Sequence, residues 1–231
     1  MASQSVLRGI SSMATRQLLA DLLADYHQHS GVSALIESVG GVDAAKRVQA
    51  GEAFDVVVLV ADSIDKLAAG GSVLAGSRVD LARSGIAVAV KAGAPQPDIG
   101  SEETVRRAVL AAPTLGYSTG PSGVALQQLF ERWGIAGDVK MRTVQAPPGV
   151  PVGSLVARGE VALGFQQLSE LMYLEGITVV GPLPDAIQII TTFSAGICRA
   201  SQHTEAVRRL LAFMASPDAA ATKRRNGMQA P

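Results

Sequence analysis

The run Phe54–Val60, FDVVVLV, is uninterruptedly apolar after Asp55 and passes directly into ADSIDKLAA. An apolar segment of this length reads as a strand covered on both faces, and the Asp62–Ala69 helix follows it at once. The same unit of strand, polar loop and helix recurs along the chain. That recurrence predicts an α/β protein in which mostly parallel sheets are flanked by helices.

In order, a short strand is expected at Ser5–Arg8, a loop at Gly9–Ser12, and a helix over Met13–Gln28, with Leu18, Leu19, Leu22, Leu23 and Tyr26 at helical spacing. A strand at Val32–Glu37, a loop at Val39–Val42 and a helix capped by Asp43 come next. Gly85–Val90 is another apolar strand, and the Pro- and Gly-rich Ala92–Gly100 cannot extend it, so the chain is expected to cross into a second lobe here. Beyond it, Val139–Val144 reads as a strand and Gln145–Val152 as a loop holding Pro147, Pro148 and Pro151. Val152–Arg158 reads as a helix closed by Gly159, Val161–Phe165 as a strand with Gln166–Gln167 as its exit, and Leu168–Leu174 as the following helix. A β-rich return at Ile187–Thr192 leads through Ala195–Cys198 to two terminal helices. Residues 1–82 and 190–231 are thus expected to form one lobe and residues 83–189 the other.

Charge narrows the function. The 231 residues carry 20 Lys plus Arg against 20 Asp plus Glu, so wholesale binding of nucleic acid or of an anionic membrane is disfavoured and any anion site must be local. The one cysteine, Cys198, lies in an apolar run and reads as a buried structural thiol. His27, His29 and His203 have no companions at metal-ligand spacing, so no metal or other cofactor is expected. The opening MASQSVLRGI lacks the apolar core of a signal peptide, and no run is long enough for a membrane helix. As written, the chain is expected to stay in the cytoplasm; it would be periplasmic if a leader had been trimmed.

Four loops have the chemistry of an anion receptor. In GYSTGPSGVALQQLF, Ser118, Thr119 and Ser122 supply hydroxyls beside Gly120 and Gly123, where backbone can approach a ligand and the free N–H groups of a helix start point the same way. Ser11 and Ser12 offer hydroxyls, Gly40 and Gly41 bare backbone, and Gln166 and Gln167 side-chain amides. In a parallel sheet such loops emerge together at the carboxyl ends of the strands. Arg8, Arg16 and Arg83 stand near them, and an Arg can grip a carboxylate with two parallel hydrogen bonds. Neither GxxxxGK[ST] nor GxGxxG occurs.

Together GISSMATRQLL, VGGVDAAKRV, FDVVVLVADSIDKL, SGIAVAVKAGAPQPDI, YSTGPSGVAL and ARGEVALGFQQLSEL, with VGPLP and FMASPDAA downstream, resemble the molybdate-binding-protein-like branch of the type 2 periplasmic binding proteins. The resemblance spans nearly the whole chain. It implies two α/β lobes of the Venus-flytrap kind, joined by two β connections, with a small oxyanion or organic carboxylate held between them. It further implies transporter components as partners if the chain is exported. Carried over, its ligand loops are Ser11 and Ser12, Gly40–Gly41, Ser118 to Gly123, and the Gly149–Val152 turn with Val150. Where that family often has a tyrosine, this chain has Gln166–Gln167.

A related group in the branch resembles aconitate isomerases, which move a proton across the allylic system of a tricarboxylate without a cofactor. Such chemistry needs a base beside a CH2 group and donors for the delocalised charge. Arg8 or Arg83 would hold carboxylates, and Glu37, Asp62, Tyr117 and Glu170 all stand near loop ends as candidate bases. Binding without turnover is the first expectation and isomerisation the alternative. A ligand-sensing module of a transcription regulator, the third, would require a DNA-binding segment.

Overall fold

The apolar run at residue 54 becomes β3 (Val56–Val60), and its side chains alternate between two cores. Val56 and Val58 pack with Leu18, Leu22, Leu210 and Leu211, whereas Val57 and Leu59 pack with Ala44, Val48, Ile64 and Leu67. Asp55 fits into this apolar run because its carboxylate accepts bonds from the Arg8 N–H at 2.9 Å and the Ser201 hydroxyl at 2.6 Å. The computed structural model describes residues 6–147 and 149–231. Ser5, the expected start of the first strand, and Pro148, in the expected Pro-rich loop, lie outside the described residues.

The chain divides into two compact units, one running to Arg83 and resuming at Thr192–Pro231, the other Ser84–Thr191. In the first unit β1 (Leu7–Ser12) lies parallel to both β2 (Ala34–Val39) and β3, and β9 (Ile190–Ile197) pairs antiparallel with β3. One face is covered by α1 (Arg16–Ser30) and α9 (Thr204–Ala215), the other by α2 (Gly41–Gln49) and α3 (Ala61–Ala69).

The second unit contains α4 (Glu102–Ala111), β5 (Leu115–Ser118), α5 (Pro121–Arg132), α6 (Ala136–Lys140), β6 (Thr143–Ala146), α7 (Val152–Arg158), β7 (Leu163–Gln167), α8 (Leu168–Leu171) and β8 (Ile177–Pro182). β5 lies parallel to β6 and β7, while the long β4 (Val79–Lys91) runs antiparallel to β7 and β8. β4 and β9 carry the chain out of the first unit and back into it. Ser101 caps α4, its hydroxyl accepting the Thr104 N–H while Thr104 accepts the Ser101 N–H. After Pro217–Ala219, α10 (Ala220–Arg225) closes the helical part of the chain. Among the described residues no helix is long and apolar enough to cross a membrane.

Three local expectations are corrected. Gly9–Ser12 belongs to β1 and is not a loop: a Cβ on Gly9 would come within 2.6 Å of Val56 Cγ1 and 2.9 Å of Ile36 Cγ1, so the glycine admits flanking strands. Residues 136–140 form α6 and the strand begins only at Thr143, because Ile135 and Val139 are buried from a short helical turn. Gln166 and Gln167 are the last residues of β7, not its exit, which starts the next helix at Leu168.

Cys198 is buried and its N–H donates to the Asp55 carbonyl at 2.9 Å. Burial, with a smaller contribution from the Asp55 charge, pushes its thiol up to about 12. Iodoacetamide at pH 8 is therefore expected to leave Cys198 unmodified in the native protein and to label it once urea unfolds the chain, as intact mass would record.

Candidate functional site

Parallel pairing brings the carboxyl ends of strands together in each unit. In the first unit Ser11 stands opposite Ser38 and Ser12 opposite Val39, and the Ser11 and Ser38 hydroxyls are 2.9 Å apart. Gly40 precedes α2, and a Cβ on Gly41 would lie 3.7 Å from the Ser12 Cβ, so the glycine turn abuts Ser12. The Ser12 hydroxyl is buried and has no hydrogen-bond partner among the described residues. A buried hydroxyl without a protein partner is the kind of group a ligand oxygen satisfies. Ser38 is a member of this cluster that sequence reasoning missed, since its partner Ser11 lies 27 residues away.

Arg8 does not join it. Arg8 is the second residue of β1, at its amino end, and four residues at ~3.3 Å each put it ~13 Å from Ser12. Arg83 is exposed in β4, where its backbone exchanges bonds of 2.8 and 2.9 Å with Gln229. The basic residue beside the serines is Arg16, which lines a hollow of about 400 Å³ with Leu19, Leu23, Glu37 and Ser38.

The second unit gathers more polar groups. β5 ends at Ser118 opposite Ala146 of β6, and it pairs with β7 at Leu115–Leu163 and Gly116–Gly164. α5, α7 and α8 all begin at this edge. The Ser118 and Ser122 hydroxyls are 3.4 Å apart, with exposed Thr119 between them in sequence. Gly123 sits in the first turn of α5, hard against the Ser118 carbonyl. Val150 precedes α7, its N–H bonded to the Pro147 carbonyl at 3.0 Å.

Gln166 and Gln167 are buried on opposite faces of β7. Gln166 Oε1 accepts the Gly153 N–H at 3.3 Å, and its amide also bonds the Glu170 carboxyl. Gln167 Nε2 donates to Thr191 Oγ1 at 2.7 Å, while its Oε1 is buried without a partner among the described residues. Burial raises the Glu170 carboxyl from its ordinary value of 4.5 to about 7, against a smaller lowering by the Gln166 bond. Thr191 was not foreseen, since its partner lies 24 residues away in sequence.

The arrangement offers neutral donors and one carboxyl able to change protonation near neutrality. Among the described residues no group of three His, Cys, Asp or Glu side chains is placed to hold a metal ion.

Residues 7–229 match the family described as bacterial extracellular solute-binding protein, and the chain belongs to that family. Its fold is that of the type 2 periplasmic binding proteins. The chain is 39% identical to an aconitate isomerase from Pseudomonas sp, over 99% of this chain and 90% of that one. The periplasmic molybdate-binding protein of Azotobacter vinelandii superposes with a TM-score of 0.80 at 21% identity, covering 97% of this chain and 99% of its own. The tungstate ABC transporter structure from Geobacter sulfurreducens gives 0.75 at 16% identity, covering 95% of this chain and 98% of its own.

Proposed function

We propose that this protein binds a small unsaturated tricarboxylate of the aconitate type and interconverts its cis and trans isomers without a cofactor. The observation that carries this reading is the 39% identity with an aconitate isomerase across 99% of the chain. The site chemistry agrees with it. A proton leaving the CH2 group of such a substrate leaves negative charge spread over three carbons and the attached carboxylates. The hydroxyls of Ser118 and Ser122 are donors for anionic oxygen, whereas at the start of α5 Pro121 has no N–H and those of Gly123 and Val124 are bonded to the Gly120 carbonyl.

Incubation with trans-aconitate in the presence of EDTA, followed by chromatography, tests the reading. The cis isomer is expected to appear, and in heavy water the product is expected to carry deuterium at the new CH2 carbon, as the abstracted proton exchanges with solvent on the base before its return. No conversion at high protein concentration over hours, across pH 5–9, would overturn it.

The second reading, binding of a compact oxyanion without chemistry, is favoured by the uncharged hydroxyls of Ser118 and Ser122. Melting curves with molybdate and with aconitate separate the two, since a ligand at a hundred times its Kd stabilises the native state by ~2.7 kcal/mol. Stabilisation by molybdate alone would favour the second.

A further inference from the structure

Four groups near strand ends were candidates for the base that this chemistry requires, and their surroundings differ sharply. Glu37 is committed to Arg47, 2.8 Å away. Asp62 is exposed in α3. The Tyr117 hydroxyl accepts a bond from Gln127 Nε2 at 2.9 Å. Glu170 stands just past the end of β7 and is held there by a buried amide whose orientation is fixed. Gln166 is almost wholly buried, and its Oε1 is occupied by the Gly153 N–H, so its NH2 is the half that meets the Glu170 carboxyl. The Glu170 residue itself keeps part of its surface open.

Resting on the isomerase reading, we propose that the Glu170 carboxylate is the catalytic base that takes the proton from the substrate CH2 group and returns it to the far carbon, with Gln166 as its positioning residue. The step balances without an outside reagent. One C–H bond breaks and its proton passes to Glu170 while the electron pair delocalises over the allylic carbons. A C–H bond then forms at the former vinyl carbon from the Glu170 proton, and the double bond moves by one position with no net oxidation.

Glu170 is suited to both halves of this exchange, since burial holds its carboxyl near neutrality. The elements packed around it bring few other ionisable groups to this end. α7 carries Arg158 at its far end, and Lys91 of β4 lies beside Gly159, also beyond that far end. β8 has no ionisable side chain, and β5 offers only Tyr117. Tyr173 and Glu175 follow α8.

The test compares the full chain with Glu170→Gln and Glu170→Asp, using trans-aconitate as probe for both melting temperature and turnover. Glu170→Gln is expected to retain the ligand-induced rise in melting temperature while turnover falls ~10²- to 10⁴-fold, the usual contribution of a positioned base. Should Glu170→Gln fail to fold, Glu170→Asp keeps the charge but draws it back by one CH2, and turnover is expected to fall at least ~10-fold with binding retained. In the wild type, kcat/KM should decline on the acid side with an apparent pKa near the carboxyl's value of about 7. Gln166→Leu should move that limb to higher pH, because the bond it removes favours the ionised carboxylate. A structural role for Gln166 would leave the limb where it is.

Turnover within ~10-fold of wild type in a folded Glu170→Gln protein would overturn the assignment while leaving the isomerase reading intact. A wild type that converts nothing would overturn both.

Discussion

Gly123→Ala is expected to destabilise the protein by more than the ~1–3 kcal/mol of ordinary overpacking. The reason is positional. Gly123 lies in the first turn of α5, and a Cβ there would overlap the Ser118 carbonyl oxygen and come within 3.2 Å of the Tyr117 ring. The obstacle is backbone, so no rotamer change relieves it. Either the end of β5 or the start of α5 must move, and each carries a serine of the site. Urea unfolding measures the loss, and at ~2–4 °C per kcal/mol for a chain of this size the melting temperature should fall by ~6 °C or more. The exposed Gly137 of α6, with nothing within 4 Å of its added Cβ, is the control: Gly137→Ala should gain up to ~1 kcal/mol from helix propensity. Equal midpoints for Gly123→Ala and the wild type would show that the close approach is not fixed.

The second large effect is a stability that declines with rising pH through the acid-to-neutral range. Glu170 has its carboxyl raised from 4.5 to about 7, so between these values the folded state binds more protons than the unfolded one. Stability contributed by the neutral form is complete below the lower value and is lost by the upper one, a difference of up to about 3 kcal/mol. Other carboxyls act in the opposite sense. Asp80 is lowered, chiefly by the Ser194 hydroxyl and also by Arg78, and it favours the folded state as pH rises. Glu170→Gln isolates the first contribution. Its stability relative to wild type should grow from pH 5 to pH 8 and then level off. A difference that stays flat across that range in paired denaturation curves would contradict the carboxyl's burial.

The class of fold was legible because β3 and the helices around it obey simple periodicities, and the Ser118–Gly123 stretch was legible because strand, small-residue turn and helix follow one another without interruption. What escaped was local geometry that depends on neighbours distant in sequence. Gly9 has the composition of a loop but lies in the middle of a sheet, where the crowding of Val56 and Ile36 requires it. Ending β1 at Arg8, four residues short of Ser12, put Arg8 at the wrong end of its strand. Val139 is buried from a five-residue helix, and so short a segment presents too few apolar positions for a helical period to differ from a strand. Glu170 could be named as one acid among several but not chosen. Its distinction comes from Gln166 and the Gly153 N–H, whose meeting depends on α7 folding back along β7.

The divided first unit has a consequence for synthesis. β3 is bordered by β1 on one side and β9 on the other, and the Asp55 carboxylate that closes its amino end is held by Ser201. A ribosome therefore releases Ser84–Thr191 as a contiguous piece able to collapse on its own, while the earlier 83 residues wait with one border of β3 uncovered until the final forty have emerged. For that interval β3 is an open edge, the kind of border on which another chain can pair.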